Sequence, residues 1–587
     1  MQFADYFVLV FYLVGMVAAG MVFASRMKNS REMFAAGGRS PWWVSGLSGF
    51  MTMFSAGTFV VWGGIAYEKG FVAVAINMCY GVSALLVGWL VAGVWRRLGV
   101  DSAPAFLRLR FGGSIVQFYT WFQGTIGIFA VGGAIYALSK IVCALVPLPA
   151  THLFADSETG HLSVAFLSVT LCLVVILVTF LGGLWAVLIT DVLQFVILTV
   201  SVLCVVPLIV GRVGGWGAFV DALPEGFAAP VSGDFGWWFL TGWVVIHFFK
   251  IGGEWSFVQR YTCVPTVRDA RKAAWLFGVL YLVSPLFWML PALVFRVLRP
   301  GQADPEQAYI LACGMVLPAG MMGLMVAAMA SATASAATSQ LNVFAGAFTQ
   351  EFYRRLFRPD APERELVLVG RLFTMLLGGV VMAGALLIPR YGYTTFIIDL
   401  TTLLTGPLVL PTIWGLFSRR IGIGAVWATT LAGFGAAVVV KFGMSWEGLA
   451  GLEPLRPLAD WVAAHRRVAD LFPGIIVPLA MLAVCEGLAR EEHPGWARVQ
   501  AARRAFRERA AVPVSTLPAK MVGVTLVLLG LVTGGLAIRD REDGATLAAA
   551  TALLLGVAAV VFGFARRADR RGGSGETARE PTDFDHE

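Results

Sequence analysis

Four hydroxyl side chains lie at helical spacing in a stretch otherwise built of alanine. Between Ala327 and Ser339, AAMASATASAATS, every residue except Met329 is alanine, serine or threonine. The hydroxyls recur at i, i+4, i+7 and i+8, one face of a helix, and an amide follows three residues on: Ser331, Ser335, Thr338, Ser339 and Asn342. Hydroxyl and carbonyl oxygens suit hard cations. The face predicts a cation site; close helix packing through small residues is the alternative.

Three ionisable residues lie inside apolar runs. Asp191 is in GGLWAVLITDVLQF (182–195), and Lys250 and Glu254 are in HFFKIGGEWSF (247–257). Charges within a membrane segment are costly, so each is a functional candidate. The alternatives are that Asp191 ends a helix and reaches lipid headgroups, and that Lys250 and Glu254 form a structural i,i+4 ion pair.

Two apolar runs are interrupted by glycine, at MFSAGTFVVWGGIAY (53–67) and again at 247–257. A broken helix frees backbone carbonyls, which a membrane tolerates only beside a cavity or an ion. Interruptions at corresponding places in two halves of a chain indicate a transporter binding site. A glycine pair that merely forms a packing notch remains the alternative.

The elements that position these residues are transmembrane helices. The chain has 587 residues, 58% hydrophobic and 14% charged, against about 25% charged in a soluble domain. Runs of roughly 20 apolar residues recur along it, each long enough to cross a bilayer. They predict an all-α polytopic membrane protein with about fifteen spans, at 5–25, 42–66, 71–94, 114–140, 162–182, 184–211, 237–258, 273–297, 314–345, 366–388, 393–417, 421–442, 472–490, 518–537 and 544–564.

The arginines cluster in alternate loops. They include Arg26, Arg31, Arg39, Arg96, Arg97, Arg108, Arg110, Arg260, Arg268, Arg271, Arg354, Arg355, Arg358 and Arg364. By the positive-inside rule these loops are cytoplasmic, although AHRRVAD (464–470) is an exception. This predicts a protein of a bacterial plasma membrane with its N-terminus outside. The C-terminal tail, 565–587, is then cytoplasmic, and its polar composition predicts disorder.

Other functions lack support in the sequence. The seven cysteines form no CxxC pair or Cys/His cluster, so no metal site is predicted beyond the cation site on the hydroxyl face. The net charge of +8 lies in loops and does not indicate nucleic acid binding. No catalytic triad or P-loop indicates an enzyme. We expect a small-molecule substrate and the lipid bilayer as partners, and infer no obligate protein partner.

Several longer motifs resemble the signatures of the sodium:solute symporter family. They are MFAAGGRSPWWVSGLSGFMTMFSAGTFV (33–60), GGLWAVLITDVLQF (182–195), WSFVQRYTCVPTVRDARKA (255–273) and AAMASATASAATSQLNVFAGAFTQEFY (327–353). The resemblance covers roughly 1–420. It implies a leucine-transporter-like 5+5 inverted-repeat core at 42–417, with halves 42–211 and 237–417. An N-terminal extra helix and cytoplasmic loop (1–41) precede this core, and accessory helices (418–564) follow it.

The resemblance also implies a sodium ion as the coupling ion. Its ligands would be the carbonyls of Met51 and Phe54 and, from the small-residue helix, Ala332, Ser335 and Ala336. Ala336 departs from the family, which usually carries serine or threonine there, so one hydroxyl ligand is missing. Asp191 matches a residue implicated in sodium coupling or exit.

The substrate positions implied by the resemblance are Thr58, Asn77, His247, Lys250, Glu254, Tyr281 and Thr401. None of the set that reads glucose-type sugars is preserved. We therefore expect a sodium-coupled symporter that imports a small organic solute. A carboxylate-bearing solute is favoured, because Lys250 needs a counter-charge that Glu254 would supply in the empty site. The alternatives are a neutral sugar or polyol symporter, a proton-coupled transporter and a membrane solute sensor.

Overall fold

The computed structural model describes residues 2–24, 36–149, 151–156, 159–388, 393–443, 454, 456–507, 514–539 and 544–573. Helices α1 to α8 are Phe3–Ala24, Trp42–Thr52, Gly63–Lys69, Val72–Leu90, Ala92–Arg97, Ala103–Phe111, Gly113–Ala144 and Val164–Val213. Helices α9 to α16 are Trp216–Asp221, Trp237–Gly253, Trp255–Thr262, Val267–Trp288, Leu290–Leu298, Ala308–Val316, Met321–Ala347 and Glu363–Leu387. Helices α17 to α24 are Tyr393–Phe417, Ile423–Val438, Arg456–Ala464, Arg466–Ala469, Val477–Leu488, Pro494–Arg507, Leu517–Arg539 and Gly544–Gly573.

Short π-helical and 3-10 segments extend or join these helices. The π-helical segments are Thr58–Trp62, Phe348–Phe357, Val439–Gly443 and Phe472–Ile476, and the 3-10 segments are Ala36–Gly38 and Pro305–Gln307. Strands β1 (Ala155–Asp156) and β2 (His161–Leu162) pair antiparallel, with Ala155 opposite Leu162. All other regular secondary structure in the described residues is helical.

The helices are long and apolar enough for a multi-pass membrane protein, as predicted. Within the described residues, eleven helical segments could cross a bilayer, and Phe3–Tyr12 and Val164–Leu177 are shorter apolar helices. The figure of about fifteen spans stays a prediction, because the end of the first expected span at 25 and several connections between spans, 389–392, 444–453 and 540–543, lie outside the described residues.

Glycine lets the central helices approach closely where α7 crosses α16. A Cβ added at Gly384 would lie 2.0 Å from the Phe129 carbonyl oxygen, and one added at Gly132 would lie 2.3 Å from the Ala385 nitrogen. Small residues at such crossings are how membrane helices gain dispersion contacts without a hydrophobic driving force.

The helical range Val164–Val213, numbered here as α8, covers two predicted spans, 162–182 and 184–211, and contains two apolar helical segments, Val164–Leu177 and Val187–Val213. Fifty residues in one straight helix would measure about 75 Å, more than twice the hydrocarbon thickness. Its contacts show a reversal instead. Ser168 bonds to Ser139 near the end of α7, while Gln194 bonds to Ser331 and Asp191 to Ser335, so this later part of α8 runs antiparallel to α15. Since α15 runs toward Glu351 and the arginines, this later part runs toward the other end, where Ser168 lies beside Ser139 and the Lys140 ion pairs, so the chain turns back between Ser168 and Asp191.

One end of the bundle is rich in arginine, and we call it the arginine-rich end. It includes Arg96, Arg97, Arg108, Arg110, Arg354 and Arg355, and the opposite end carries the Lys140 ion pairs to Asp304 and Glu306. Arg96 and Arg110, assigned to loops above, are buried and donate to carbonyls of Pro265 and of Gly415 and Ser418. That this end faces the cytoplasm remains a prediction.

Candidate functional site

The first predicted helix break is present, but not at the Gly63–Gly64 pair. Helix α2 ends at Thr52, and π-helical structure begins at Thr58. Both glycines lie inside α3, where a Cβ on Gly63 would lie 3.3 Å from Tyr309. The packing-notch interpretation is therefore right for this pair, and the break lies at 53–57. Ala56 in that segment donates its N–H to Thr333 Oγ1 of α15 at 2.9 Å.

The second break lies at Glu254, between α10 and α11. Glu254 has extended backbone angles, φ −66° and ψ 137°. The glycines before it are needed for close contacts: the Gly252 carbonyl accepts from Trp95 Nε1 at 2.7 Å, and a Cβ on Gly253 would lie 2.6 Å from Val409. Both broken helices thus stand in the bundle interior, as expected of a transporter.

Asp191 is buried where α8 meets α2 and α15. Its Oδ1 accepts the hydroxyl hydrogen of Ser335, and its Oδ2 accepts that of Ser48. The interpretation of Asp191 as a helix-end residue that reaches headgroups is therefore wrong. A carboxylate held at this depth requires compensation.

Arg260 supplies that compensation, and the sequence analysis missed it by counting Arg260 among loop charges. The Arg260 and Asp191 side chains are each 1% exposed, with Nη2 3.6 Å from Asp191 Oδ2. The guanidinium also donates to Ser48 Oγ at 3.0 Å and to Ser339 Oγ at 2.7 Å. One signal could have identified Arg260, because WSFVQRYTC directly follows a helix break inside the membrane.

The hydroxyl face of α15 is confirmed, and protein groups bind most of it. Ser331 accepts from Tyr12 at 2.9 Å and from Gln194 at 2.6 Å. Asn342 Oδ1 accepts from Gln259 at 3.4 Å, and Thr338 donates to the Ser335 carbonyl at 3.0 Å. Ser335 differs from these residues because its hydroxyl donates to a carboxylate, that of Asp191.

The other predicted sodium residues lie on α15 or at the end of α2, the two helices that carry Ser335 and Ser48. Met51 and Phe54 are fully buried at the first break, where the Phe54 N–H donates to the Met51 carbonyl at 3.0 Å. Ala332 is fully buried on α15 and precedes Thr333, which binds the break segment. Ala336 is half-buried one residue after Ser335. The break and the small-residue helix are thus in direct contact.

Two of the predicted substrate residues belong to an aromatic cluster. The His247 ring lies 4.5 Å from the Tyr80 ring and 4.4 Å from the Trp243 ring, between centroids. Tyr281 lies 5.3 Å from Tyr80 in an edge-on arrangement. Tyr281 Oη and Trp243 Nε1 are buried without a hydrogen-bond partner among the described atoms. Sequence reasoning missed Tyr80 and Trp243, because neither carries a charge or a break.

Three other predicted substrate residues are not brought to this cluster by any recorded contact. Thr58 Oγ1 accepts from the Ser55 N–H at 3.3 Å within the first break. Asn77 is buried and donates to its own helix at the Ala73 carbonyl, 2.8 Å away. Thr401 is half-buried on α17.

The predicted Lys250–Glu254 ion pair does not form. Glu254 Oε1 instead accepts from Gln340 Nε2 at 2.7 Å and from Ser256 at 3.1 Å. The Glu254 N–H still donates to the Lys250 carbonyl at 2.9 Å, so Glu254 lies one turn after Lys250, but its carboxylate is bound by Gln340 and Ser256 instead. Lys250 is half-buried, and among the described residues no carboxylate pairs with it.

A cavity of about 550 Å³ opens at the arginine-rich end. Its walls come from α6, α11, the end of α15 and the π-helical segment after it, including Arg108, Trp255, Gln259, Val343 and Glu351. Gln259 connects the cavity to the buried cluster, because its Oε1 accepts from Arg260 Nη1 at 3.0 Å.

Comparison with known families agrees with this arrangement. The family model described as "Sodium:solute symporter family" matches residues 33–433. The chain belongs to the sodium:solute symporter family. This confirms the resemblance carried by the motifs.

Curated relatives in the family are cotransporters. The chain is 29% identical to rabbit (Oryctolagus cuniculus) sodium/myo-inositol cotransporter 2 over 73% of this chain and 68% of the relative. It is 25% identical to mouse (Mus musculus) sodium/glucose cotransporter 1 over 73% of this chain and 70% of the relative. The match thus spans about two thirds of each relative's length.

A solved structure shares the fold. A Na+-coupled sialic acid symporter in a substrate-bound outward-open state aligns with a TM-score of 0.68 and 21% identity, covering 84% of this chain and 99% of that one. The predicted fold, an all-α membrane protein of leucine-transporter type, is therefore confirmed.

Proposed function

We propose that this protein is a sodium-driven symporter that imports a small organic solute. Its sodium ion would be held by Ser335 and by carbonyls of Met51, Phe54 and Ala332, with Ala336 beside them and Asp191 supplying negative charge. The observation that carries the proposal is the buried hydroxyl–carboxylate pair of Ser335 and Asp191 beside a broken helix.

The hydrogen bond leaves Ser335 suited to a cation. A serine hydroxyl has one hydrogen and two lone pairs. Since Ser335 gives its hydrogen to Asp191, its lone pairs remain free, and the carboxylate polarises the oxygen further. A neutral acceptor would make this oxygen a weaker ligand.

Arg260 stabilises the carboxylate while the site is empty. Removing an ion pair's partner in a low-dielectric interior leaves a charge whose desolvation is uncompensated. The guanidinium compensates the Asp191 carboxylate and donates to Ser48 and Ser339 beside it. A sodium ion that enters the site would then find the Asp191 carboxylate already in position.

The solute we favour carries a carboxylate. Lys250 is half-buried beside the second break and has no described carboxylate as partner. An anionic group on the solute would compensate this ammonium. The neutral sugar or polyol alternative is favoured by the relatives, which are myo-inositol and glucose cotransporters, and by the aromatic cluster at His247 and Tyr281.

The test is uptake into proteoliposomes under an inward sodium gradient, with an equal choline gradient as the control. Labelled sialic acid, myo-inositol and glucose serve as probes. Uptake that follows sodium supports symport. Uptake driven only by a proton gradient, or probe binding without uptake, contradicts it in favour of proton coupling or a sensor respectively.

The remaining topology belongs to the same proposal. The transport core would be 42–417, with the N-terminal helix and the helices of 418–564 as accessory elements. We propose that the N-terminus lies outside and the C-terminus in the cytoplasm of a bacterial plasma membrane. This orientation rests on the arginines of the arginine-rich end, among them Arg354 and Arg355, whereas Arg260 is buried against Asp191 and is not a loop charge.

A further inference from the structure

The N-terminal helix α1, outside the inverted-repeat core, is docked along one face against α15 and α8. Asp5, Val8 and Tyr12 are buried, whereas Phe3 and Tyr6 point away and are 84% and 41% exposed. The buried face contains an acid and a phenol, so its contacts are specific rather than only apolar.

Asp5 caps the beginning of α15 from a different helix. Its Oδ1 accepts the N–H groups of Gly320 at 2.7 Å and Gly323 at 2.8 Å. Its Oδ2 accepts the N–H of Gln2 at 2.7 Å, which fixes the carboxylate. First-turn N–H groups have no partner within their own helix, and the helix dipole favours an anion there.

The sequence of α15 leaves room for this docking. A Cβ on Gly323 would lie 2.2 Å from the Asp5 carbonyl oxygen and 2.5 Å from its Cα. Any side chain at position 323 would push the two helices apart. Gly323 therefore sets the distance at which α1 meets α15.

Tyr12 extends the contact two turns further along α1. Its hydroxyl donates to Ser331, which also accepts from Gln194. Ser331 precedes Ser335 by one turn, and Gln194 follows Asp191 by one turn. Two hydrogen bonds thus join α8 to α15, Gln194–Ser331 and Asp191–Ser335. Tyr12 of α1 also bonds to Ser331 and so contacts the first of these pairs.

We propose that α1 is a positioning element of the ion site, in which Asp5 and Tyr12 hold α15 in the register that brings Ser335 to Asp191. This inference rests on the proposed sodium role of those two residues. If only the registered arrangement binds sodium, loss of an α1 contact lowers its population and raises the apparent sodium dissociation constant by the same factor.

The experiment is a sodium titration of thermal stability in purified full-length protein, with choline keeping ionic strength constant. Tyr12→Phe removes one hydroxyl and no volume. We expect it to raise the sodium concentration at half-maximal stabilisation about threefold to tenfold, the scale of one hydrogen bond. The matched control is Tyr6→Phe on the exposed face, which should leave that midpoint unchanged.

Gly323→Ala is the second variant, with Gly379→Ala as its control, because a Cβ there meets nothing within 4 Å. A raised midpoint in Gly323→Ala but not in Gly379→Ala supports the proposal. If Tyr12→Phe and Gly323→Ala lower stability without sodium yet keep the wild-type midpoint, α1 is only structural and the inference is overturned. If sodium does not stabilise even the wild type, the proposed sodium site itself is contradicted.

Discussion

Ser335 donates its hydroxyl hydrogen to Asp191 across the interface of α15 and α8, with both side chains buried. The contact ties the small-residue helix to the aspartate that the sequence singled out separately. It also explains why bulky residues are excluded near Ser335, since a larger side chain would separate the two oxygens.

The first prediction concerns the ligand that Ala336 lacks. Ala336→Ser would add a hydroxyl next to Ser335, and we expect it to lower the sodium concentration for half-maximal stabilisation by about tenfold, equivalent to about 1.4 kcal/mol. Sodium titration of thermal stability measures this. Ala334→Ser, also half-buried on α15, is the control. An unchanged or weaker sodium affinity in Ala336→Ser would place the ion elsewhere.

The second prediction concerns the buried ion pair. Arg260→Gln leaves Asp191 without its counter-charge and should destabilise the protein by about 3–5 kcal/mol. Adding Asp191→Asn should recover part of that loss, because the unpaired charge is then gone. Thermal unfolding of the two single variants and the double variant measures the coupling, with the exposed Arg268→Gln as control. Strictly additive effects would show that the pair is not energetically coupled.

The third prediction concerns the solute. Lys250→Met should weaken competition by an acidic probe, sialic acid, in sodium-driven uptake and leave competition by neutral myo-inositol unchanged, because only the acid uses the ammonium. Lys69→Met, at an exposed position, is the control. The carboxylate proposal fails if Lys250→Met retains full affinity for the acid or if only neutral solutes compete in the wild type.

The fourth prediction concerns pH at the arginine-rich end. The Arg110 guanidinium and the Gly495 N–H both approach His493 Nδ1 at 3.1 Å, so neutral imidazole accepts them. Burial, and then the charges of Arg110 and Arg498, hold the pKa of His493 below its usual range. Because the pKa of His493 is lowered in the folded state, the contacts of His493 with Arg110 and Gly495 contribute their full stability above about pH 6.5. This contribution is lost as the pH falls below that value.

Hydrogen exchange of α22 measures this effect, since α22 begins at Pro494 directly after His493. Exchange should accelerate on acidification in the wild type and in the exposed-site control His465→Gln. It should vary less with pH in His493→Gln. Equal pH dependence in all three proteins would assign the effect to other groups.

Much of the fold and half of the site follow from local sequence patterns. Apolar run length predicted the helices, and the periodicity of Ser331, Ser335 and Ser339 predicted their shared face. The glycine interruptions predicted two broken helices, although Gly63 and Gly64 proved to be packing residues. These features depend on neighbours within a few turns, which a sequence displays directly.

The remaining features depend on contacts between distant segments. Arg260 looked like a loop charge because its partner Asp191 is far earlier in the chain, and only the helix break just before WSFVQRYTC hinted that α11 lies inside the bundle. The Lys250–Glu254 pair failed because the Glu254 carboxylate is bound by Gln340, 86 residues further along the chain, and i,i+4 spacing says nothing about such a distant partner. Tyr12 and Ser331, 319 residues apart, had no shared local signal.

Sodium-dependent thermal stabilisation in the absence of solute tests the central claim most directly, since a bound ion raises the unfolding temperature in proportion to its binding free energy. The variants are Ser335→Ala and Asp191→Asn. The control is Ser201→Ala, at a buried hydroxyl of α8 that has no hydrogen-bond partner among the described residues. Sodium, compared with choline, should stabilise the wild type and Ser201→Ala and leave Ser335→Ala and Asp191→Asn nearly unchanged. Equal stabilisation of all four proteins would contradict a sodium site at Ser335 and Asp191.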